Sequence, residues 1–288
     1  MNDYVIYTDS ACDMKPELLA KWGVQSSSLT FQFDDNGIDY ANEDMPVKEF
    51  YDRMRAGGIA KTSAVNEGTF LNEFEKLLNR GLDILYLGFS TGLSTTCNSA
   101  EMAAQHLREQ YPDRKIITVD TLCASVGQGL LVYLTAEKKK AGATIEEAAA
   151  FAESMKLKIY HYVTVDDLVY LKRGGRISPT VALVGNVLGL KPMIHVDNEG
   201  KLLNSAKARG RKKAIAALAD SYTERAADPE NGTIFLGHSD CLEDAQEVAR
   251  ILKERHGVEV KLITDIGTVI GAHTGPGAMV LCFVAEGR

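Results

Sequence analysis

A two-domain α/β protein, with a parallel-sheet domain followed by an α+β domain carrying a mixed sheet, is the fold class that three observations predict. Short β-branched runs alternate with helical patterns over the first 160 residues, hairpin signals replace that alternation afterwards, and a chain of 288 residues suits two units better than one. Tyr4-Val5-Ile6-Tyr7-Thr8 reads as the first strand, and a short helix opens at Pro16. Residues 24–40 interrupt the rhythm: 26–33, the turn signal Asp34-Asp35-Asn36-Gly37 and 38–40 predict a small hairpin excursion. Ile84-Leu85-Tyr86-Leu87 then precedes a helix over 94–109, and Ile116-Ile117-Thr118-Val119 precedes one over 125–140. A further helix is expected over 144–158, because Ile145, Ala148, Phe151, Ala152 and Met155 fall on one face. Strands alternating with helices of this length form parallel β-α-β units, which makes the domain 1–160 Rossmann-like in architecture.

Past residue 160 the pattern changes. Residues 193–196, the turn Asp197-Asn198-Glu199-Gly200 and 201–206 predict an antiparallel hairpin, followed by a helix over 211–226. A strand at 233–236, a helix at 242–255 and strands at 258–263 and 278–284 complete the domain 161–288. A cleft between the two domains is the expected ligand site.

Composition narrows the function classes. A formal charge of −7 disfavours a dedicated nucleic-acid binder, which needs concentrated Lys and Arg; only 209–213 and 138–140 are locally basic. No apolar run approaches the roughly 20 residues of a membrane helix, and no basic segment precedes an apolar stretch at the start, so a cytoplasmic location without integral membrane association is expected. Cys12, Cys97, Cys123, Cys241 and Cys282 are odd in number and widely spaced, as reduced thiols would be. No Walker loop, dinucleotide fingerprint, His-Glu-x-x-His or EF-hand loop occurs, and the expectation is a protein with no cofactor and no metal.

Two segments could carry chemistry. In Leu87-Gly88-Phe89-Ser90-Thr91-Gly92-Leu93-Ser94-Thr95-Thr96, glycines and hydroxyls coincide with a strand-to-helix junction, where free N–H groups and the helix dipole favour an anion. Ser94 as an ordinary helix cap is the plain alternative. Gly88-Phe89-Ser90-Thr91-Gly92 also matches the Gly-x-Ser-x-Gly elbow of serine esterases, with Asp240 or Asp265 and His273 following in hydrolase order, though no His-Gly-Gly oxyanion segment lies upstream. The second segment, 267–277, reads as a long loop in which glycines and Pro276 fix the backbone around the single imidazole of His273. Thr62-Ser63, after the Gly57-Gly58 break, offers a further hydroxyl at a loop. Arg209, within Lys207-Ala208-Arg209-Gly210-Arg211-Lys212-Lys213, and Lys172-Arg173-Gly174-Gly175-Arg176-Ile177-Ser178 are basic stretches, the second a plausible docking edge for an acidic partner. His161, His195, His238 and His256 show no ligand spacing.

In order along the chain, Thr8-Asp9-Ser10 with Asp13, Lys61-Thr62-Ser63, Ser90-Thr91-Gly92-Leu93-Ser94, Asp120-Thr121, the basic loop 171–178, Lys191-Pro192 and His273-Thr274-Gly275-Pro276-Gly277 resemble the DegV family over essentially the whole length. That resemblance implies a bacterial two-domain protein that binds a long-chain fatty acid and presents it to a separate fatty-acid kinase, which forms the acyl phosphate. It further implies that Thr62, Ser94 and His273 hold the carboxylate, that Arg209 supports the head group, and that Arg173 faces the kinase, with no catalytic residue in this chain. Ala64-Val65-Asn66 stands where Gln-Pro-Ser is usual, and Thr95 where Gly usually follows Ser94. Residues 181–190 and the apolar helices of the first half are the candidates for lining the acyl tunnel. A non-catalytic carrier is therefore the leading expectation, and a serine esterase using Ser90 the alternative.

Overall fold

The protein is described by a computed structural model covering residues 3–177 and 189–288. Its first sheet is parallel, in the order β2 (Val24–Ser27), β1 (Tyr4–Asp9), β6 (Asp83–Gly88), β7 (Ile116–Asp120). Every residue of β1 and β6 is buried, because helices cover a parallel strand on both faces, and this is why both read as unbroken apolar runs. Among the covering helices, α3 (Glu67–Asn79) packs on α4 (Thr96–Gln110), and α5 (Ser125–Lys140) on α6 (Ile145–Met155). Thr144 starts α6 with a capping box: its hydroxyl accepts from Glu147 N–H, and the Glu147 carboxylate accepts from Thr144 N–H.

The excursion is larger than the expected hairpin, and it begins later. Val24–Ser27 pairs with β1 in the main sheet, and the excursion is an antiparallel three-stranded sheet of β4 (Tyr40–Ala41), β3 (Thr30–Phe33) and β5 (Ala60–Ser63). Helix α2 (Val47–Arg55) lies between β4 and β5 in the chain. An aromatic cluster of Phe31, Phe33, Phe50 and Tyr51 forms a core of its own under this sheet. Thr62 therefore sits in a strand rather than a loop, because cross-strand pairing with Phe31 overrides the break signalled by Gly57-Gly58.

The second sheet is mixed and six-stranded, in the order β10 (Leu202–Arg209), β9 (Leu190–Val196), β8 (Ile159–Thr164), β13 (Met279–Val284), β11 (Phe235–His238), β12 (Leu262–Asp265). Only the β11–β12 pair is parallel. Helices α8 (Arg211–Arg225) and α9 (Leu242–His256) cover its outer face, and the short α7 (Val169–Arg173) follows β8. Residues 267–277 are not a long loop: Thr268–Thr274 form a helix, α10, almost wholly buried. Its interior glycine is a packing feature, since a Cβ at Gly271 would lie 2.4 Å from the Tyr51 hydroxyl.

Helix α5 joins the two sheets. It packs on β1 and β6 from one side and on β8, β11 and β13 from the other, so one hydrophobic core runs from Tyr4 to Cys282 across both. The change of sheet at Ile159 thus divides strands but not the core. Two glycines permit the sandwich: a Cβ at Gly127 would overlap the His161 ring, and one at Gly129 would meet Met14 and the Cys12 carbonyl.

Buried carboxylates tie the loops at the C-terminal edge of the first sheet. Asp9 accepts from the Tyr86 hydroxyl at 2.7 Å, Phe89 N–H at 2.9 Å and the Gln128 amide at 3.2 Å. Asp13, in the left-handed region at φ 54°, accepts from Ser125 Oγ at 2.5 Å and from Gly267 N–H at 2.9 Å, linking β1 to the start of α5 and of α10. Burial pushes the Asp13 carboxyl up to about 7. Asp13→Ala leaves two buried donors unpaired and should cost roughly 2–4 kcal/mol, whereas Asp13→Asn keeps an acceptor and tolerates the backbone. A raised carboxyl stabilises the fold below its unfolded value, and that contribution is lost as pH rises toward 7. The stability lead of the native protein over Asp13→Asn in urea should therefore shrink between pH 4 and 7; a constant lead would contradict it.

Candidate functional site

A cavity of about 470 Å³ opens between the C-terminal loops of the first sheet and the inner face of the second. Chain order explains the place: β2 lies on one side of β1 and β6 on the other, so the loops after β1 and β6 diverge at a switch point and leave a crevice. Alternation in the second sheet supplies the facing wall, with His161 and Val163 from β8, Ile194 and Val196 from β9, and Val280 from β13. Phe89, Leu93, Leu171, Val269 and Ile270 add apolar surface. The volume and lining suit a small-molecule site. Of the residues offered from sequence as tunnel lining, 181–188 lie outside the described residues.

The polar end is assembled from four elements. Thr62 on β5 and His273 on α10 meet directly, with Thr62 Oγ1 2.8 Å from His273 Nε2. Ser94, just before α4, lines the same cavity; its Oγ accepts from Thr96 N–H at 3.2 Å and lies 2.9 Å from Thr96 Oγ1. Ser94 thus serves the helix end and at the same time stands on the cavity wall. Thr95 also lines the cavity, as does Ala64, so both departures from the family pattern fall at this end.

Arg176 is the residue that sequence reading passed over. Its half-buried guanidinium donates through Nε to the Leu93 carbonyl at 3.1 Å and through Nη1 to the Gly174 carbonyl, and it has no carboxylate partner among the described residues. No Asp or Glu among the described residues lines the cavity. Burial of an unpaired cation is costly, and an anion entering here would offset that cost with a charge-assisted contact. The available signal was the Gly174-Gly175 break inside a basic loop, but nothing in that pattern distinguishes Arg176 from Lys172 or Arg173.

The remaining candidates lie elsewhere. Arg209 is exposed at the end of β10, opposite Leu190, and is not among the cavity residues. Arg173 is exposed on the last turn of α7, its guanidinium 5.8 Å from the Tyr170 ring centre. The esterase constellation is not assembled. Ser90 is buried and donates to the Gly200 carbonyl at 2.9 Å; His273 is bonded to Thr62; Asp240 is paired with Arg55; and Asp265 lies 3.7 Å from His238 and from Lys15. The Gly-x-Ser-x-Gly match reflects packing instead, because Ser90 and Gly92 receive the tip of the β9–β10 hairpin: a Cβ at Gly92 would lie 2.6 Å from the Glu199 carbonyl.

Both cavity histidines are held neutral. Burial, reinforced by Arg176, lowers His273 to about 4. Burial, reinforced by Arg288, lowers His161 to about 3, its Nδ1 3.1 Å from the Ile159 carbonyl. An unfolded histidine takes up a proton near pH 6.5, so the neutral buried form supports the fold fully above that pH and the support is lost as pH falls toward 4. For His273 this amounts to about 3 kcal/mol at ~1.36 kcal/mol per pH unit. Urea stability of His273→Gln should accordingly fall less steeply between pH 6.5 and 4 than that of the native protein. Parallel profiles would remove His273 as a cause.

Comparison with known proteins bears on this geometry. Residues 3–286 match the family described as "Uncharacterised protein, DegV family". A DegV domain-containing protein of Clostridium perfringens is 43% identical over 99% of both chains. A fatty acid-binding protein of Thermotoga maritima is 32% identical over 95% of both. A solved stearic acid-binding protein from Eubacterium ventriosum superposes with a TM-score of 0.87 at 26% identity, covering 98% of each chain. With a match of this extent, the chain belongs to the DegV family.

Proposed function

We propose that this protein binds a long-chain fatty acid in the inter-sheet cavity and presents its carboxylate to a separate kinase for conversion to an acyl phosphate. One observation carries the binding reading: a mostly apolar cavity, with no carboxylate in its lining among the described residues, has the Arg176 guanidinium, the His273 imidazole and the Thr62 and Ser94 hydroxyls on its wall. Only an amphiphile with an anionic head answers both halves of that surface. Relatives described as fatty acid-binding support the same ligand class.

Two free-energy terms cooperate. A carboxylate leaving water needs several donors in exchange, and Thr62, Ser94 and Arg176 offer them, with His273 bonded behind Thr62. Arg209, outside the cavity, does not enter this set. The tail contributes at roughly 0.8 kcal/mol per buried CH₂, so a chain of about sixteen carbons supplies on the order of 10 kcal/mol before the costs of association. The protein acts in this reading as a carrier, not an enzyme: among the described residues no hydroxyl at the polar end is paired to a base that is itself held by a carboxylate. In this reading the reacting carboxyl lies at the end of the cavity flanked by Arg176, and the exposed Arg173, three residues earlier in the chain, offers a cationic docking point for the kinase.

Mass spectrometry of protein purified from a lipid-containing host should reveal a fatty acid, and delipidated protein should take one up; failure of both would refute the carrier reading. Loss of one charged or charge-assisted contact costs about 1.5–3 kcal/mol, so Arg176→Leu and Ser94→Ala should each weaken binding by roughly 10- to 100-fold with the fold intact. Arg173→Glu should leave fatty-acid affinity unchanged and depress acyl-phosphate formation in a reconstituted kinase assay. Full activity of that variant would remove Arg173 from the docking surface.

A further inference from the structure

The His273 ring is hemmed in by a backbone atom on one edge. Nδ1 is buried and has no hydrogen-bond partner among the described residues, and a Cβ built on Gly174 would stand 2.0 Å from it. The hydrogen that Gly174 carries in that direction therefore points at Nδ1. A nitrogen lone pair accepts such a C–H contact, whereas an N–H there would drive two hydrogens together and find no acceptor. Gly174 does not need its missing side chain for conformational reasons, since its φ of −72° and ψ of −8° are open to any residue. Its carbonyl, moreover, accepts from Arg176 Nη1, so one residue seats both the imidazole and the guanidinium of the site.

We propose that Gly174 is a positioning residue that fixes His273 as the neutral Nε2–H tautomer, so that the imidazole donates to Thr62 and the Thr62 hydroxyl donates to the bound carboxylate. The direction follows from proton inventory. With Nδ1 closed to a proton, the hydrogen of the neutral ring sits on Nε2 and occupies the 2.8 Å contact to Thr62 Oγ1. That oxygen then accepts, and its own hydrogen is free to turn toward the cavity. Negative charge on the ligand is met by Arg176 and not by an imidazolium. Arg176 is the charged group that the structure sets against the ring, and the aromatic neighbours of α10 pack at its other glycines, Tyr51 at Gly271 and Tyr170 at Gly275.

The relay rests on the fatty-acid reading, but the tautomer does not, and the two can be tested apart. In ligand-free protein labelled with ¹⁵N-histidine, the His273 resonances should show a protonated Nε2 and a bare Nδ1, unchanged from pH 5.5 to 8. A proton on Nδ1, or titration within that range, would overturn the assignment whether or not any lipid binds. Gly174→Ala should shift these resonances and weaken binding of palmitate to delipidated protein by at least tenfold; unaltered resonances would refute the positioning role. Should that variant not fold, His273 substitutions decide. Glutamine, whose amide nitrogen replaces Nε2, should retain palmitate affinity within about fivefold. Asparagine, which places its nitrogen near Nδ1, should lose more than tenfold. The reverse order would overturn the relay.

Discussion

A helix with no solvent-facing side through most of its length constrains everything else in this molecule. Helix α5 is squeezed between a parallel and a mixed sheet, and close approach on its two flanks requires Gly127 against His161 and Gly129 against Met14 and Cys12. Close packing of this kind transmits position: the first residues of α5 form part of the cavity wall, and Asp13 ties that same helix start to the start of α10. The cavity is therefore built from segments that are distant in sequence but held against one rigid element.

The site follows from what that packing leaves uncompensated. A guanidinium with no carboxylate partner among the described residues, an imidazole held neutral and the hydroxyls of Thr62 and Ser94 stand in a mostly apolar space. Each is unfavourable or incomplete alone. In the function proposed above they complement an anion with a long hydrocarbon tail, and the sheet face opposite supplies the surface along which such a tail would lie. The Ser90 region, which as a string resembles a nucleophile elbow, serves the architecture: its hydroxyl receives a hairpin tip from the other sheet.

Helices with strong local signals were readable directly. Helix α6 follows from the one-sided spacing of Ile145, Ala148, Phe151, Ala152 and Met155, and the bounds of α5 and α8 follow from periodicity and punctuation, because each helix satisfies its own backbone hydrogen bonds. The site was readable in part. Thr62, Ser94 and His273 stand in motifs whose order is distinctive, and all three line the cavity. Reading failed where glycine means packing: Gly271 and Gly275 made a buried helix resemble a loop, and Gly92 made a docking surface resemble a catalytic turn. Arg176 was hidden for another reason, since three cations in one short segment look alike until burial separates them.

By itself, then, the order of residues determined the alternation of strands and helices, the change of architecture near residue 160 and three of the polar residues, Thr62, Ser94 and His273, that line the cavity. These depend on local periodicity, capping and side-chain chemistry, which are properties of neighbours in the chain. Only the tertiary structure decided that Thr62 lies 2.8 Å from His273, that Arg176 and not Arg209 faces the cavity, and that the Gly174 backbone abuts an imidazole nitrogen. Such contacts join positions separated by up to 211 residues, and their geometry is set by how two sheets share one helix.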